Sequence, residues 1–108
     1  MPRGSKVRPH LWSNVIDLYD DGECSAIWGR FDERTPRCLG IRWNGKGKDV
    51  GYPNLGGNPL WFVVPNQFAE MILLDIFAKV PKKPPERLSN IKTAVSECQK
   101  QGKSARAG

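Results

Sequence analysis

The sequence has few of the residues on which catalytic and metal sites are usually built. It contains one histidine, His10, and three cysteines, Cys24, Cys38 and Cys98. A structural zinc site needs four Cys or His ligands in closely spaced pairs, and here all four residues would have to join a single site. We therefore expect no metal site and no cofactor. Free thiols in a reducing compartment are the simplest expectation for the cysteines.

Long apolar runs are also missing. No stretch approaches eighteen apolar residues, so we expect no membrane span and no membrane partner. The N-terminal residues MPRGSKVRPH are basic but lack the apolar stretch of a signal peptide. These absences, together with the small size, predict a cytoplasmic protein, and we expect it to be bacterial.

Positive charge is abundant and unevenly distributed. The net charge of the 108 residues is +6. Residues 33–58 hold five bases and two acids, and residues 81–108 hold seven bases and two acids. Such a field attracts polyanions and acidic proteins, but it says nothing about the fold.

The stretch SNVIDLYDDGECSAIWGRF predicts a β-hairpin. Asp21-Gly22 is a favoured two-residue turn, because glycine adopts positive φ without steric cost. Folding the chain there predicts cross-strand pairs of Tyr19 with Cys24, Ile16 with Ile27, and Val15 with Trp28. A helix over residues 13–19 is the alternative, since its apolar residues would share one helical face.

Two further strands follow. Apolar residues alternate with polar or small ones along RCLGIRWN, which is the period of a strand. We expect this strand to lie antiparallel to the second, with Ile27 on the same buried side as Leu39 and Ile41. The run PLWFVVP consists of β-forming residues between prolines and adds Leu60–Val64 to the sheet.

Two helices complete the predicted fold. NQFAEMILLDIFAKV forms the first, with Asn66 as its N-cap. Its apolar residues spread beyond one face, so it is either deeply packed or forms a subunit contact. ERLSNIKTAVSECQKQG forms the second, which Gly102 ends, and a narrow apolar stripe runs along it.

The predicted fold class is α+β. It consists of a three- to four-stranded antiparallel β-meander with one or two C-terminal α-helices packed on one face. We expect a flexible basic arm at residues 1–10, a single domain at residues 11–102 and a disordered tail at residues 103–108.

The segment CLGIRWNGKGKDVGYPNLGGNPLWF contains a near-match to a phosphate-binding loop. Gly40, Gly45 and Lys46 fit the pattern GxxxxGK[ST], but Gly47 stands where a hydroxyl is needed. The pattern also begins inside a predicted strand, and no helix follows it directly. We expect a surface loop, and since His10 has no evident catalytic partners, we do not expect an enzyme.

Nucleic-acid binding is the first functional hypothesis. Single-strand binders combine cations for phosphates with aromatic faces for bases. The central region offers such a mixture on a predicted exposed sheet face and its loops: Trp28, Arg30, Arg34, Arg37, Arg42, Lys46 and Lys48. Gly29 and Gly40 would leave room there for a ligand.

A dimeric protein-interaction module is the alternative hypothesis. The apolar helix 66–80 would form the subunit contact of a homodimer, and the basic surface would hold an acidic protein partner. A pocket walled by Tyr52, Trp61 and the loop would instead hold a small ligand. The salt dependence of binding distinguishes the hypotheses. Binding driven by phosphate contacts weakens steeply as ionic strength rises, whereas an interface built on apolar burial is far less sensitive.

Overall fold

The structure is a computed structural model that describes residues 12–32, 36–81 and 85–107, with side chains through residue 101. Its elements are β1 (Trp12–Asp20), β2 (Cys24–Phe31), β3 (Cys38–Trp43), β4 (Asn54–Leu55), β5 (Asn58–Pro59), β6 (Phe62–Val64), α1 (Asn66–Lys79) and α2 (Pro85–Ala107). Four strands form an antiparallel sheet in the order β1-β2-β3-β6, and β4 and β5 form a separate small hairpin. The predicted α+β class is confirmed, and residues 13–19 are strand rather than helix.

Both faces of the sheet are covered. Under α1 and α2 lies the larger core, which contains Leu18, Trp28, Leu39, Leu73 and Ile91, all fully buried. The other face carries a smaller core of Trp12, Ile27 and Trp61. In the part of the chain that the structure describes, each face of the sheet therefore contributes residues to a core.

The turn between β1 and β2 is displaced from the predicted position at Asp21-Gly22, since Asp20 lies opposite Ser25 and the Asp21 N–H donates to the Cys24 carbonyl at 3.1 Å. The Asp21 carboxylate accepts hydrogen bonds from the backbone N–H groups of Glu23 and Cys24, each 2.8 Å long. Asp20 Oδ1 accepts another from the N–H of Gly22, at 2.9 Å. The bonds from Cys24 and Glu23 hold the pKa of Asp21 below its ordinary value.

The hairpin departs from the predicted register between the turn and Ile16, whereas Ser13 opposite Arg30 and Trp12 opposite Phe31 keep that register. Ile16 lies opposite Trp28 and Tyr19 opposite Ala26, with irregular pairing on either side of Ile16 and Asp17. The pairing of β2 with β3 also differs from the prediction. Trp28, not Ile27, lies opposite Leu39. Leu39 therefore shares a face with Trp28, and because the helices cover that face, Trp28 lies in the larger core.

The helices lie close to their predicted positions. α1 begins at Asn66 without a side-chain cap, so the predicted N-cap is wrong, and the Asn66 side chain donates to Gln101 on α2 at 3.1 Å. α2 packs the predicted stripe against α1 and β1, with Ile91 and Cys98 buried. Its backbone continues through Gly102, the predicted end, to Ala107. The division into arm, domain and tail stays a prediction, since residues 1–11 lie outside the described residues.

Candidate interaction surface

The predicted basic and aromatic sheet face does not form. Arg42 lies opposite Ser25 and therefore on the same face of the sheet as Ser25. Ile27 is two positions from Ser25 along β2, so it lies on that face too. Arg30 is an odd number of positions from Ser25, which places it on the opposite face. The two arginines therefore cannot contact one ligand across a common sheet surface.

Trp28 is a core residue rather than a stacking platform. Its side chain is fully buried beneath α2, and its indole N–H donates a 2.8 Å hydrogen bond to Glu97 Oε1. Buried indole groups need such a partner because an unpaired N–H is costly away from water. The Trp28 side chain thus holds α2 against the sheet and is not accessible for stacking with a nucleic-acid base.

Arg42 is also buried, at 4% exposure. Its guanidinium donates to the backbone carbonyls of Leu60, at 2.6 Å, and of Val50. It lies 5.9 Å from the ring centroid of Trp61, and burial lowers the pKa of the guanidinium from its ordinary value. Arg42 holds the 44–60 loop against the sheet and presents no charge to solvent.

The remaining predicted nucleic-acid residues are scattered. Arg37 forms an ion pair with Glu97 and donates to the Asn14 carbonyl at 3.1 Å. Arg30 is half-buried, and Arg34 lies outside the described residues. Lys46 and Lys48 are exposed on the loop after β3, at the other end of β3 from Arg37.

The predicted ligand-binding pair is not brought together either. Tyr52 is exposed and forms an isolated bridge with Trp43. Trp61 is buried in the smaller core on the opposite side of the sheet. The space predicted beside Gly40 is filled, since a Cβ there would lie 2.9 Å from the Trp12 ring.

Exposed apolar side chains form the largest unexplained surface feature. Four of them lie on α1 and are 42–68% exposed: Phe68, Met71, Leu74 and Phe77. They follow one another at three-residue spacing, so successive members are neighbours on the helix surface and the four form an oblique stripe around its outer side. We call these four residues the α1 outer face. The sequence showed the excess of apolar residues on this helix.

A hollow lies between α1 and the sheet, near the end of β3 that carries Trp43. Its volume is about 330 Å³, and its lining includes Ala26, Ile41 and Ile76. Trp43, Tyr52 and Phe62 stand at its margin, each more than half exposed. We call these three residues the aromatic rim. Sequence reasoning missed the hollow because the rim residues come from three separate segments.

A buried polar chain is the closest approach to a catalytic arrangement. Ser25 Oγ donates to Asn44 Oδ1 at 2.6 Å, and Asn44 Nδ2 donates to Asp20 Oδ1 at 3.0 Å. No histidine or other general base adjoins Ser25 in the part of the chain described. These bonds tie the β1–β2 turn to the strand end of β3, which is a structural role.

Comparisons with known proteins return no family model, no curated protein and no solved structure that matches this chain. Within residues 12–32, 36–81 and 85–107 there is no group of three or more potential metal ligands. No helix in the described ranges is long and apolar enough to cross a membrane. A function is therefore best inferred from the exposed side chains of the described residues.

Proposed function

We propose that the protein is an interaction module that associates with a second copy of itself through the α1 outer face. The observation that supports this most directly is the exposure of four large apolar side chains on one helix whose other side is fully packed. Contiguous apolar patches of this kind are uncommon on monomers and mark interaction sites.

The area of the surface suits a standard interface. Large side chains present roughly 150–250 Å² each when fully accessible, so four of them at half exposure present on the order of 400 Å². A typical complex buries about 800 Å² on each partner, of which somewhat more than half is non-polar. The α1 outer face supplies nearly all of that non-polar part.

Local charge favours a second copy over a polyanion. Residues 59–80 hold one base and two acids, although the whole chain carries +6. Lys79 on α1 is engaged by Asp75 at 2.8 Å. A nearly neutral, apolar helix face matches the same face of another copy, and in a two-fold dimer each partner contributes the same patch.

Nucleic-acid binding has lost the surface on which it was based, since Trp28 and Arg42 are buried. The exposed Lys46 and Lys48 remain as places where an acidic partner or a phosphate could be held. The free thiols of Cys24 and Cys98 fit our further proposal of a cytoplasmic location.

Replacement of Met71 and Leu74 by aspartate tests the proposal. Two charges placed on each side of the interface would have to be buried without partners, so the double variant should be monomeric. We expect light scattering to give twice the chain mass of 12.1 kDa for the unaltered protein and a single chain mass for the variant.

Leu55→Asp is the matched control, because Leu55 is equally exposed but lies on the separate β4–β5 hairpin. It should remain dimeric. A dimer that survives the α1 double variant would place the contact elsewhere. Tight, salt-sensitive binding of a single-stranded oligonucleotide by the monomeric variant would instead make nucleic-acid binding the preferred function.

A further inference from the structure

We propose that the hollow between the sheet end and α1 is a binding site for an uncharged, planar aromatic molecule. The site goes beyond the proposed association, because none of the four side chains of the α1 outer face lines it. Its volume of about 330 Å³ lies within the range of small-molecule pockets.

The floor and the rim of the hollow come from rigid elements. Ala26 on β2 and Ile41 on β3 lie directly opposite one another on the helix-covered face of the sheet. Ile76 closes one side from the buried face of α1. The aromatic rim stands around this floor, with Trp43 and Tyr52 paired through their backbones at 2.8 and 3.1 Å.

The side chains that face the hollow carry no charge at neutral pH, which selects an uncharged occupant. Burial, and then the nearby Asp21 and Glu23, raise the pKa of the Cys24 thiol above its ordinary value of 9.0, so the thiol stays protonated. Burial, and then the hydrogen bond to Asp21, raise the pKa of the Tyr19 phenol as well. An ion in this hollow would lose hydration without gaining a partner.

The two other polar lining residues do not supply a charge either. Ser25 and Arg42 lie opposite one another, and strand alternation directs their side chains to the far face of the sheet. There the Ser25 hydroxyl donates to Asn44, and the Arg42 guanidinium donates to backbone carbonyls. Both residues therefore border the hollow mainly with backbone.

The rim explains why a flat ring is the best occupant. Trp43, Tyr52 and Phe62 offer three ring faces or edges, and aromatic pairs gain energy beyond area burial when they stack offset or edge-to-face. One polar contact is also available. Tyr19 Oη donates its proton to Asp21 Oδ2 at 3.0 Å, so the oxygen is left as an acceptor. The preferred ligand has fused or linked aromatic rings and at most one donor.

N-Phenyl-1-naphthylamine is the probe that fits this description, with linked aromatic rings and a single N–H. Its fluorescence rises in apolar surroundings, so a titration should show saturable binding of one probe per chain. Its sulfonated analogue 1-anilinonaphthalene-8-sulfonate differs chiefly in charge and should not displace it. In the unaltered protein, the Ala26 methyl resonance should shift during the titration.

Trp43→Ala and Phe62→Ala should each weaken binding of the neutral probe by roughly tenfold, since each removes a ring from the rim. Both residues are largely exposed, so the variants should keep the fold, which circular dichroism checks. Leu55→Ala, at an equally exposed site outside the hollow, should bind normally. The Met71→Asp, Leu74→Asp variant should also bind normally.

The site would be overturned by any of three results. These are no saturable binding of the neutral probe, equal affinity in the unaltered protein and both rim variants, and displacement by the sulfonate at similar concentration. Loss of binding in the α1 double variant alone would show that the probe occupies the α1 outer face instead. That result would refute the hollow and leave the proposed association in place.

Discussion

Arg42 holds the central loop against the sheet. A buried guanidinium with five donors can satisfy several carbonyls at once, and here the carbonyls of Val50 and Leu60 depend on it. The residue is cationic and lies in a strand with polar alternation, so its sequence context alone suggests an exposed position. Its role becomes visible only when the loop that returns over the sheet is in place.

Arg42→Met should therefore destabilise the protein. The substitution keeps an apolar side chain of similar length but leaves two carbonyls without donors, at a cost of about 2–4 kcal/mol in the free energy of unfolding. Urea denaturation measures this loss, and Lys46→Met, on the exposed loop, should change stability by less than about 0.5 kcal/mol. A stable Arg42→Met protein with reduced affinity for nucleic acid would instead make Arg42 a contact residue.

Glu97 connects α2 with the sheet through two partners. Its carboxylate accepts from the Trp28 indole at 2.8 Å and pairs with the Arg37 guanidinium. The hydrogen bond from Arg37, opposed by burial and then aided by Trp28, lowers the pKa of Glu97 from its ordinary 4.5. A lowered pKa means that the stabilisation is present above about pH 4.5 and is lost as the pH falls through the folded-state pKa.

Glu97→Gln should cost about 1 kcal/mol at pH 7, a low value because the carboxylate is 35% exposed and partly screened. The cost should shrink as the pH is lowered below 4.5, since the unaltered protein then loses the same charge. Thermal unfolding at several pH values measures both effects. Asp75→Asn breaks only an exposed pair with Lys79 and should cost little at any pH. Equal losses in the two variants would refute the role given to Glu97.

Among the elements, the 44–60 loop depends on tightly fitted glycines. Gly51 and Gly57 both have φ of +83°, but their surroundings differ. A Cβ on Gly51 would lie 2.0 Å from the Trp43 carbonyl oxygen, whereas a Cβ on Gly57 would meet nothing within 4 Å. Alanine substitutions at these two positions therefore distinguish the energetic cost of backbone strain from that of a steric clash.

Gly57→Ala should destabilise the protein by about 1 kcal/mol, the cost of a left-handed backbone for a residue with a Cβ. Gly51→Ala carries the same backbone cost and forces the loop from its bridge to Trp43, so the loss should exceed about 3 kcal/mol. Chemical denaturation of both variants measures the difference. Similar losses would mean that the loop is free to move away from Trp43.

Elements were easier to predict than their contacts. Turn residues, period-two alternation and the long apolar helix located the four sheet strands and both helices. The short β4–β5 hairpin, with glycines at 56 and 57, was missed because it lies within a segment interpreted as one loop. The predicted register was wrong near the turn because the turn lies further along the chain and the pairing is irregular on either side of Ile16 and Asp17.

The coverage of both sheet faces decided the outcome for the predicted site. Sequence alternation correctly placed Trp28 and Arg30 on the face opposite Ile27. It could not show which face the helices cover, nor that Trp12 and Trp61 cover the other face. The excess of apolar residues on α1 could be recognised in the sequence, and the structure retains it as an exposed surface. The interface hypothesis therefore keeps its basis, whereas the hypothesis of a basic sheet face does not.

At the scale of the whole molecule, the sheet separates two cores and leaves the apolar surface to one side. The helices cover the larger core, and a smaller tryptophan-containing core covers the other face. Cations in the described residues lie mainly on the loop after β3 and along α2. Association through α1 therefore brings together a part of the molecule with little net charge.

Sedimentation equilibrium of the unaltered protein at low and high salt tests the central claim most directly. We expect a mass of twice 12.1 kDa, unchanged or favoured as salt rises, because screening reduces repulsion between two chains of net charge +6 and leaves apolar burial intact. A single chain mass at micromolar concentration, or a dimer that dissociates in high salt, would contradict an apolar contact through α1.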